Sequence, residues 1–186
     1  MALTQFSIQK AFEAIRVLSL PIAINLSVAQ LHTPALAQRI VQAAAAWEID
    51  PRMLLIEITE SAALMAYPDH MRALRELHEL GIQIAIDDFG TSYSDLATIR
   101  TYPIDALKID RGFVIRLATG SREVTIASAI IAIAKALDVA VLAEGIESEE
   151  QVLLLRELGC DFGQGHLLGM PVPLSDLSPV RDATPN

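Results

Sequence analysis

Short apolar runs alternate with longer amphipathic segments along the chain. The runs are rich in Ile, Val and Leu and close on a polar or acidic residue, which is typical of buried strands. They predict strands at residues 21–25, 54–58, 82–87, 106–110, 139–144 and 160–164. The segments before and between them predict helices at residues 4–18, 28–47, 61–80, 94–100, 121–137 and 148–158. Strands that alternate with helices predict an α/β fold in which right-handed βα units form a parallel sheet.

The predicted strands carry apolar and polar side chains on opposite faces. In residues 82–87 three isoleucines share one face, and Asp87 lies on the other. Four other strands place Asn25, Glu57, Lys108 and Glu144 in the same way. In a TIM-type (β/α) barrel the polar face points inward, and the active site lies at the C-terminal ends of the strands. The alternation therefore predicts such a barrel, with about six βα units in this chain.

The polar residues at the strand ends form a candidate site. They are Asn25, Glu57, Asp87, Asp88 and Glu144, with Lys108 on the same face. One interpretation is that each residue only caps its strand or pairs with another, but a buried carboxylate without a partner costs several kcal/mol. Grouped carboxylates repel one another unless a cation lies among them. All-oxygen ligands are preferred by Mg²⁺, Mn²⁺ or Ca²⁺ rather than by zinc.

Such a metal site suits the metal-assisted hydrolysis of a phosphodiester best, although composition alone does not exclude another reaction. In metal-assisted hydrolysis of a phosphodiester, the ion would lower the pKa of a water molecule and a spare carboxylate would accept its proton. Lys108 would then be a counter-charge or would position the water. An enolase-like proton abstraction would use the same types of residue, so these residues alone leave both reactions open.

Composition narrows the class of protein. The chain has 186 residues, of which 52% are hydrophobic, and a mean hydropathy of +0.40, which excludes a disordered chain. Its 14 Lys and Arg against 23 Asp and Glu give a net charge of −9, which argues against binding of DNA or RNA. The single cysteine excludes a disulfide framework and favours a cytoplasmic location. The longest apolar stretch, residues 126–134, is shorter than the roughly 20 residues of a membrane span, and no signal-peptide pattern is present.

Six segments, in order, resemble the EAL domain, a bacterial cyclic-di-GMP phosphodiesterase. They are INLS at 24–27, IEITES at 56–61, IDDFGTSYS at 86–94, LKIDR at 107–111, LAEGIE at 142–147 and CDFGQGH at 160–166. The resemblance predicts one barrel domain over residues 1–175, followed by an irregular tail over residues 176–186. It implies the TIM-type barrel of that family and hydrolysis of cyclic-di-GMP to the linear dinucleotide pGpG. It also implies a two-metal site for Mg²⁺ or Mn²⁺ and a protein that commonly works as a dimer.

The resemblance implies a role for each residue of the candidate site. The implied metal ligands are Asn25, Glu57 and Asp87, with Asp88 helping to hold a second ion. Lys108 would orient the attacking water, and Glu144 would act as the general base. Glu60 would tether the loop from Asp88 to Ser94 and couple metal binding to subunit pairing. The residues implied near the substrate or behind the ligands are Asp110, Glu147 and Gln164.

The sequence departs from the family in its signature. The glutamate of the Glu-Ala-Leu motif is a metal ligand in the family and lies on a strand upstream of the Asn25 segment, but only 24 residues precede Asn25 here and they predict a helix. A (β/α)₈ barrel usually takes about 250 residues. We therefore interpret the chain as an N-terminally truncated barrel.

Two hypotheses follow from the missing signature. In the first, the chain is a phosphodiesterase domain with impaired activity. Its missing first strand is then supplied by a neighbouring subunit, or is present in the natural protein and absent from this sequence. In the second, it is an inactive regulatory module that binds cyclic-di-GMP or a protein. An exposed sheet edge favours pairing between chains, so we expect a homo-oligomer, in particular a dimer that exchanges a strand.

The remaining metal-binding residue types give no pattern. The four histidines, at positions 32, 70, 78 and 166, share no spacing typical of a metal site, and we interpret them as surface or packing residues. Cys160 lies in an apolar segment, so we expect an unreactive thiol.

Overall fold

Six parallel strands form a single curled sheet in the computed structural model, which describes residues 2–65, 67–91 and 96–177. The strands are β1 (Ile22–Asn25), β2 (Leu54–Thr59), β3 (Gln83–Phe89), β4 (Ala106–Ile109), β5 (Ala140–Glu144) and β6 (Phe162–Gln164). Their order in the sheet is the order along the chain, so each strand pairs with the next one in sequence. This half-barrel with its helices confirms the predicted α/β, TIM-like fold class.

Nine α-helices and two short 3₁₀ helices lie in the described part of the chain. The α-helices are α1 (Ala2–Leu18), α2 (Val28–Leu31), α3 (Leu36–Ala46), α4 (Glu60–Leu64), α5 (Pro68–Glu79), α6 (Leu96–Ile99), α7 (Arg111–Val114), α8 (Arg122–Leu137) and α9 (Glu149–Leu158). The 3₁₀ helices are Pro51–Met53 and Leu174–Asp176. Across the described ranges, no helix combines the length and apolar character needed to cross a bilayer.

Proline and a left-handed residue divide two of the predicted helices. The helix predicted over 28–47 is broken after α2, where Ala35 has a φ of +55° and precedes α3. The helix predicted over 61–80 is broken before Pro68, which takes the first position of α5 because its missing N–H is not needed there. The short α7 was not predicted; it begins after Asp110, whose side chain accepts a hydrogen bond from the backbone N–H of Gly112.

The main core lies on the face of the sheet that the helices cover. Outward-facing residues of neighbouring strands pair in register, as Ile56 does with Ile84 and Ile86 with Leu107, and all four are fully buried. Complete burial of such a side chain contributes about 1.5–3 kcal/mol. The predicted alternation is therefore present: branched apolar residues point to the helices, and the polar residues point to the inner face.

The two outer strands of the sheet are β1 and β6, and neither has a second strand partner among the described residues. All three residues of β6 are exposed, and Phe162 is 62% exposed. Unpaired backbone groups along an outer strand are available for pairing with another chain segment. Of the tail predicted over 176–186, residues 178–186 lie outside the described residues.

Candidate active site

Charged side chains from four strands converge on the inner face of the sheet, at the C-terminal ends of β2 to β5. Lys108 of β4 is the centre of this cluster and is 4% exposed. Its Nζ lies 2.9 Å from Oε1 of Glu57, 3.1 Å from Oδ1 of Asp87 and 2.5 Å from Oε1 of Glu144. We call these four residues and Asp88 the carboxylate cluster. Four carboxylates and one ammonium group leave an excess of negative charge, which favours binding of a cation.

A β-bulge in β3 brings Asp88 into the cluster. Ile86 pairs with Leu107 and Phe89 with Ile109, so two residues of β3, Asp87 and Asp88, lie opposite Lys108 alone. Asp88 adopts a φ of +55°, a left-handed conformation that Asp tolerates better than most residues. Carboxylate oxygens of Asp87, Asp88 and Glu144 all lie within 4.8 Å of one another. The bulge therefore turns two adjacent aspartates into potential ligands of one ion.

Burial and mutual repulsion change the pKa values of two carboxylates in the cluster. Burial raises the pKa of Asp88, and the neighbouring charges of Asp87, Asp110 and Glu144 raise it further. Burial also raises the pKa of Glu144, although its hydrogen bond from Lys108 opposes this. Burial alone would lower the pKa of Lys108, but hydrogen bonds to Glu144 and Glu57 outweigh it and hold the pKa above its ordinary value. The lysine therefore stays charged.

Glu60 lies beside the cluster and holds the backbone that follows the bulge. It is 1% exposed at the start of α4, where Thr59 caps the helix by accepting a hydrogen bond from the N–H of Ala62. Its Oε2 accepts hydrogen bonds from the backbone N–H groups of Gly90, at 3.2 Å, and Thr91, at 3.1 Å. The carboxylate is therefore in place at the start of the loop, whose residues 92–95 lie outside the described residues.

The other predicted site residues lie around the cluster rather than in it. Asn25 is exposed on β1, paired in register with Glu57. Asp110 caps α7 and belongs to the charges that act on Asp88. Glu147 and Gln164 line a cavity of about 180 Å³ together with Glu144 and Arg111. The strand register explains the position of Gln164, because it pairs with Glu144.

Arg111 was not predicted as a site residue. Its Nη2 lies 2.8 Å from Oε1 of Glu147 at the wall of this cavity. Its aliphatic stem passes so close to Gly145 that a Cβ there would lie 2.2 Å from Cγ of the arginine, and Gly145 has a φ of +77°. The arginine therefore packs against the turn that links Glu144 to Glu147. A glycine directly after Glu144 was the only sign of this contact in the sequence.

Comparison with known proteins identifies the family. The family model of the EAL domain matches residues 2–171. A cyclic di-GMP phosphodiesterase, NbdA of Pseudomonas aeruginosa, is 39% identical over 158 residues, which cover 85% of this chain and 20% of that protein. The chain spans about a fifth of the length of the first curated relatives that it matches.

Solved structures agree with this match. The PaMucR phosphodiesterase in complex with c-di-GMP has a TM-score of 0.87 and 36% identity, covering 92% of this chain and 72% of that chain. The manganese and cy-diGMP complex of Klebsiella pneumoniae BlrP1 has a TM-score of 0.79 and 28% identity, covering 88% of this chain and 43% of that chain. With its fold, its ordered motifs and this family-model match, the chain belongs to the EAL domain family.

Proposed function

We propose that this domain hydrolyses cyclic-di-GMP to the linear dinucleotide pGpG with the help of divalent metal ions. The observation that carries the proposal is the carboxylate cluster, with two adjacent aspartates turned to one side by the bulge of β3. Membership of the EAL family supports the substrate class, since a relative is a cyclic di-GMP phosphodiesterase and a structural neighbour is a c-di-GMP complex.

The donor set fits Mg²⁺ or Mn²⁺. All its ligand atoms are oxygens, and carboxylate oxygens of Asp87 and Asp88 lie within 4.8 Å of each other and of the Glu144 carboxylate. The residues proposed to hold a two-metal site are Asn25, Glu57, Asp87 and Asp88. When bound, the ions would lower the pKa of a coordinated water and stabilise charge on the phosphate. A structural neighbour in complex with manganese supports this choice of metal.

Glu144 and Lys108 are the proposed catalytic residues. Burial raises the pKa of Glu144, which brings its basicity closer to that of an effective general base at neutral pH. The charged Lys108 touches Glu144 and two of the proposed metal ligands, so it can orient a water molecule among them. Glu147 and Gln164 face the adjacent cavity and are proposed to position the substrate. Asp110 and Glu60 would act through the backbone segments that they hold.

A second candidate function is a regulatory module that binds cyclic-di-GMP or a protein without turnover. The open outer strands of the sheet favour it, because β6 presents three exposed residues, including Phe162. The same outer strands support our proposal that the chain forms a homo-oligomer, since strand pairing between copies would satisfy their backbone groups. The single cysteine supports a cytoplasmic location for either function.

Hydrolysis and binding measured side by side test the proposal. The 186-residue chain, assayed alone with Mn²⁺, should convert cyclic-di-GMP to pGpG well below an ordinary enzyme rate of about 1 s⁻¹. The E144Q variant should abolish this conversion, whereas E149Q, which changes an exposed glutamate of α9, should not. Calorimetric binding without hydrolysis would favour the regulatory module. Absence of both binding and hydrolysis would overturn the proposed function.

A further inference from the structure

Two histidines face each other where α2 meets α5, outside the carboxylate cluster. His32 ends α2, and His70 lies in the first turn of α5. Their Nε2 atoms are 2.8 Å apart, and their ring centroids are 4.1 Å apart. The two histidines are 38 positions apart in the sequence, which is far longer than a typical metal-binding spacing.

One of these histidines is held firmly and the other is accessible. His70 is completely buried, its backbone N–H bonds to the carbonyl of Tyr67, and the Tyr67 ring meets its ring edge-on with centroids 5.2 Å apart. His32 is exposed on the turn that closes α2. The buried imidazole therefore offers a fixed nitrogen, and the exposed imidazole can adjust to a ligand between them.

We propose that His32 and His70 bind a divalent transition-metal ion of the zinc, nickel or copper class. At this distance one ring donates its Nε2–H to the Nε2 lone pair of the other ring. When an ion binds between them, the donating ring takes its Nδ1–H tautomer, so both Nε2 lone pairs face the ion and no net proton is lost. In a tetrahedral site with metal–nitrogen bonds of about 2.0–2.1 Å, the two nitrogens lie about 3.3 Å apart. A shift of about half an ångström by the exposed His32 opens the pair to that separation.

The surroundings of the pair suit a partly hydrated cation. His32 lines a polar cavity of about 340 Å³ together with Asp69, Arg72 and Glu76. Arg72 pairs with Asp69 at 2.9 Å and with Glu76 at 3.9 Å, so these three side chains together carry one net negative charge. Water in the cavity would complete the coordination of the ion. Imidazole nitrogens favour zinc, nickel and copper over Mg²⁺, so this pair and the carboxylate cluster select different metals.

The environment of His70 limits the affinity. Its Nδ1 has no hydrogen-bond partner among the described residues, whereas a metal-binding histidine usually donates its second N–H to a carboxylate or carbonyl. Loss of such a partner weakens metal sites by roughly 10–100-fold. We therefore expect micromolar rather than nanomolar binding.

Metal-dependent melting of the full chain tests the site. The protein is first stripped with EDTA and given excess Mg²⁺, which occupies the carboxylates, and Ni²⁺ or Zn²⁺ is then added. At a metal concentration of about 100 Kd the melting temperature should rise by about 5–10 °C. The H32Q variant, which changes an exposed side chain and leaves the buried His70 in place, should lose this rise. H78Q is the matched control, because His78 also lies on α5 and is 43% exposed but faces Asp105.

Spectroscopy adds a readout that a purely structural role of His32 would not change. With one equivalent of Cu²⁺ and excess Mg²⁺, electron paramagnetic resonance should show coupling to two imidazole nitrogens in the wild type and in H78Q, and this signal should be lost in H32Q. The proposal is overturned if the wild type shows no thermal response, or if H32Q responds to the metal as the wild type does.

Discussion

Lys108 is predicted to hold the carboxylate cluster together in the absence of metal. The K108M variant keeps a side chain of similar length but removes the charge, so Glu57, Asp87 and Glu144 lose the ammonium group that lies 2.5–3.1 Å from their oxygens. The three carboxylate side chains are only 10, 14 and 22% exposed, so water replaces this partner incompletely. The variant therefore leaves buried negative charges uncompensated.

The size of the effect follows from the burial of these charges. Removal of one partner from a buried ion pair costs about 3–5 kcal/mol. Because Glu144 and Asp87 keep some contact with water, we expect the lower end, about 3 kcal/mol in the free energy of unfolding. For a domain of this size, 1 kcal/mol corresponds to about 2–4 °C, so the melting temperature should fall by roughly 6–12 °C.

Urea denaturation followed by circular dichroism, in buffer with EDTA, measures this loss. K135M provides the control, because Lys135 is exposed in the last turn of α8 and a surface substitution changes stability by only about 0.5 kcal/mol. Addition of Mn²⁺ should restore part of the stability of K108M, since the cation replaces the missing positive charge. A K108M variant within about 0.5 kcal/mol of the wild type in EDTA would refute this reasoning.

Backbone geometry, burial and the open sheet edges lead to four other predictions. Gly145 and Gly120 share a φ of +77°, but only a Cβ at Gly145 would meet Arg111. In urea denaturation, G145A should therefore lose about 1–3 kcal/mol more of the free energy of unfolding than G120A. Equal losses in the two variants would contradict the contact. Because Asp88 has a φ of +55°, D88V should be about 1–3 kcal/mol less stable than D88N, and equal stability of the two would argue against the bulge. Burial raises the pKa of Cys160, so the folded chain holds less of the reactive thiolate than the unfolded chain at the same pH. Iodoacetamide at about pH 8 should therefore modify Cys160 several-fold more slowly in the folded chain than in urea. That gap should narrow as the pH rises, and equal rates in both states would count against burial of the thiol. Sedimentation velocity should show a dimer at micromolar concentration, and a stable monomer would exclude pairing through β1 or β6.

The alternation along the strands determined which face most site residues occupy. Glu57, Lys108 and Glu144 were assigned to one face from the sequence, because successive side chains of a strand point to opposite sides whatever surrounds them. The sequential order of the strands is the order found in a (β/α) barrel, the fold that the polar strand faces predict. The break between α2 and α3 was not predicted, because Ala35 adopts a left-handed conformation that is uncommon for alanine.

Only the tertiary structure decided the contacts that depend on packing between distant segments. Strict alternation would place Asp88 on the side of the helices, and the bulge opposite Lys108 moves it to the site. The packing of Arg111 on Gly145 and the approach of His32 to His70 join residues that lie 34 and 38 positions apart. Such contacts depend on strand register and on how helices rest against the sheet, whereas the facing of a strand residue depends only on the local backbone. This difference explains why the sequence predicted the carboxylates of the site but not the bulge, the arginine or the histidine pair.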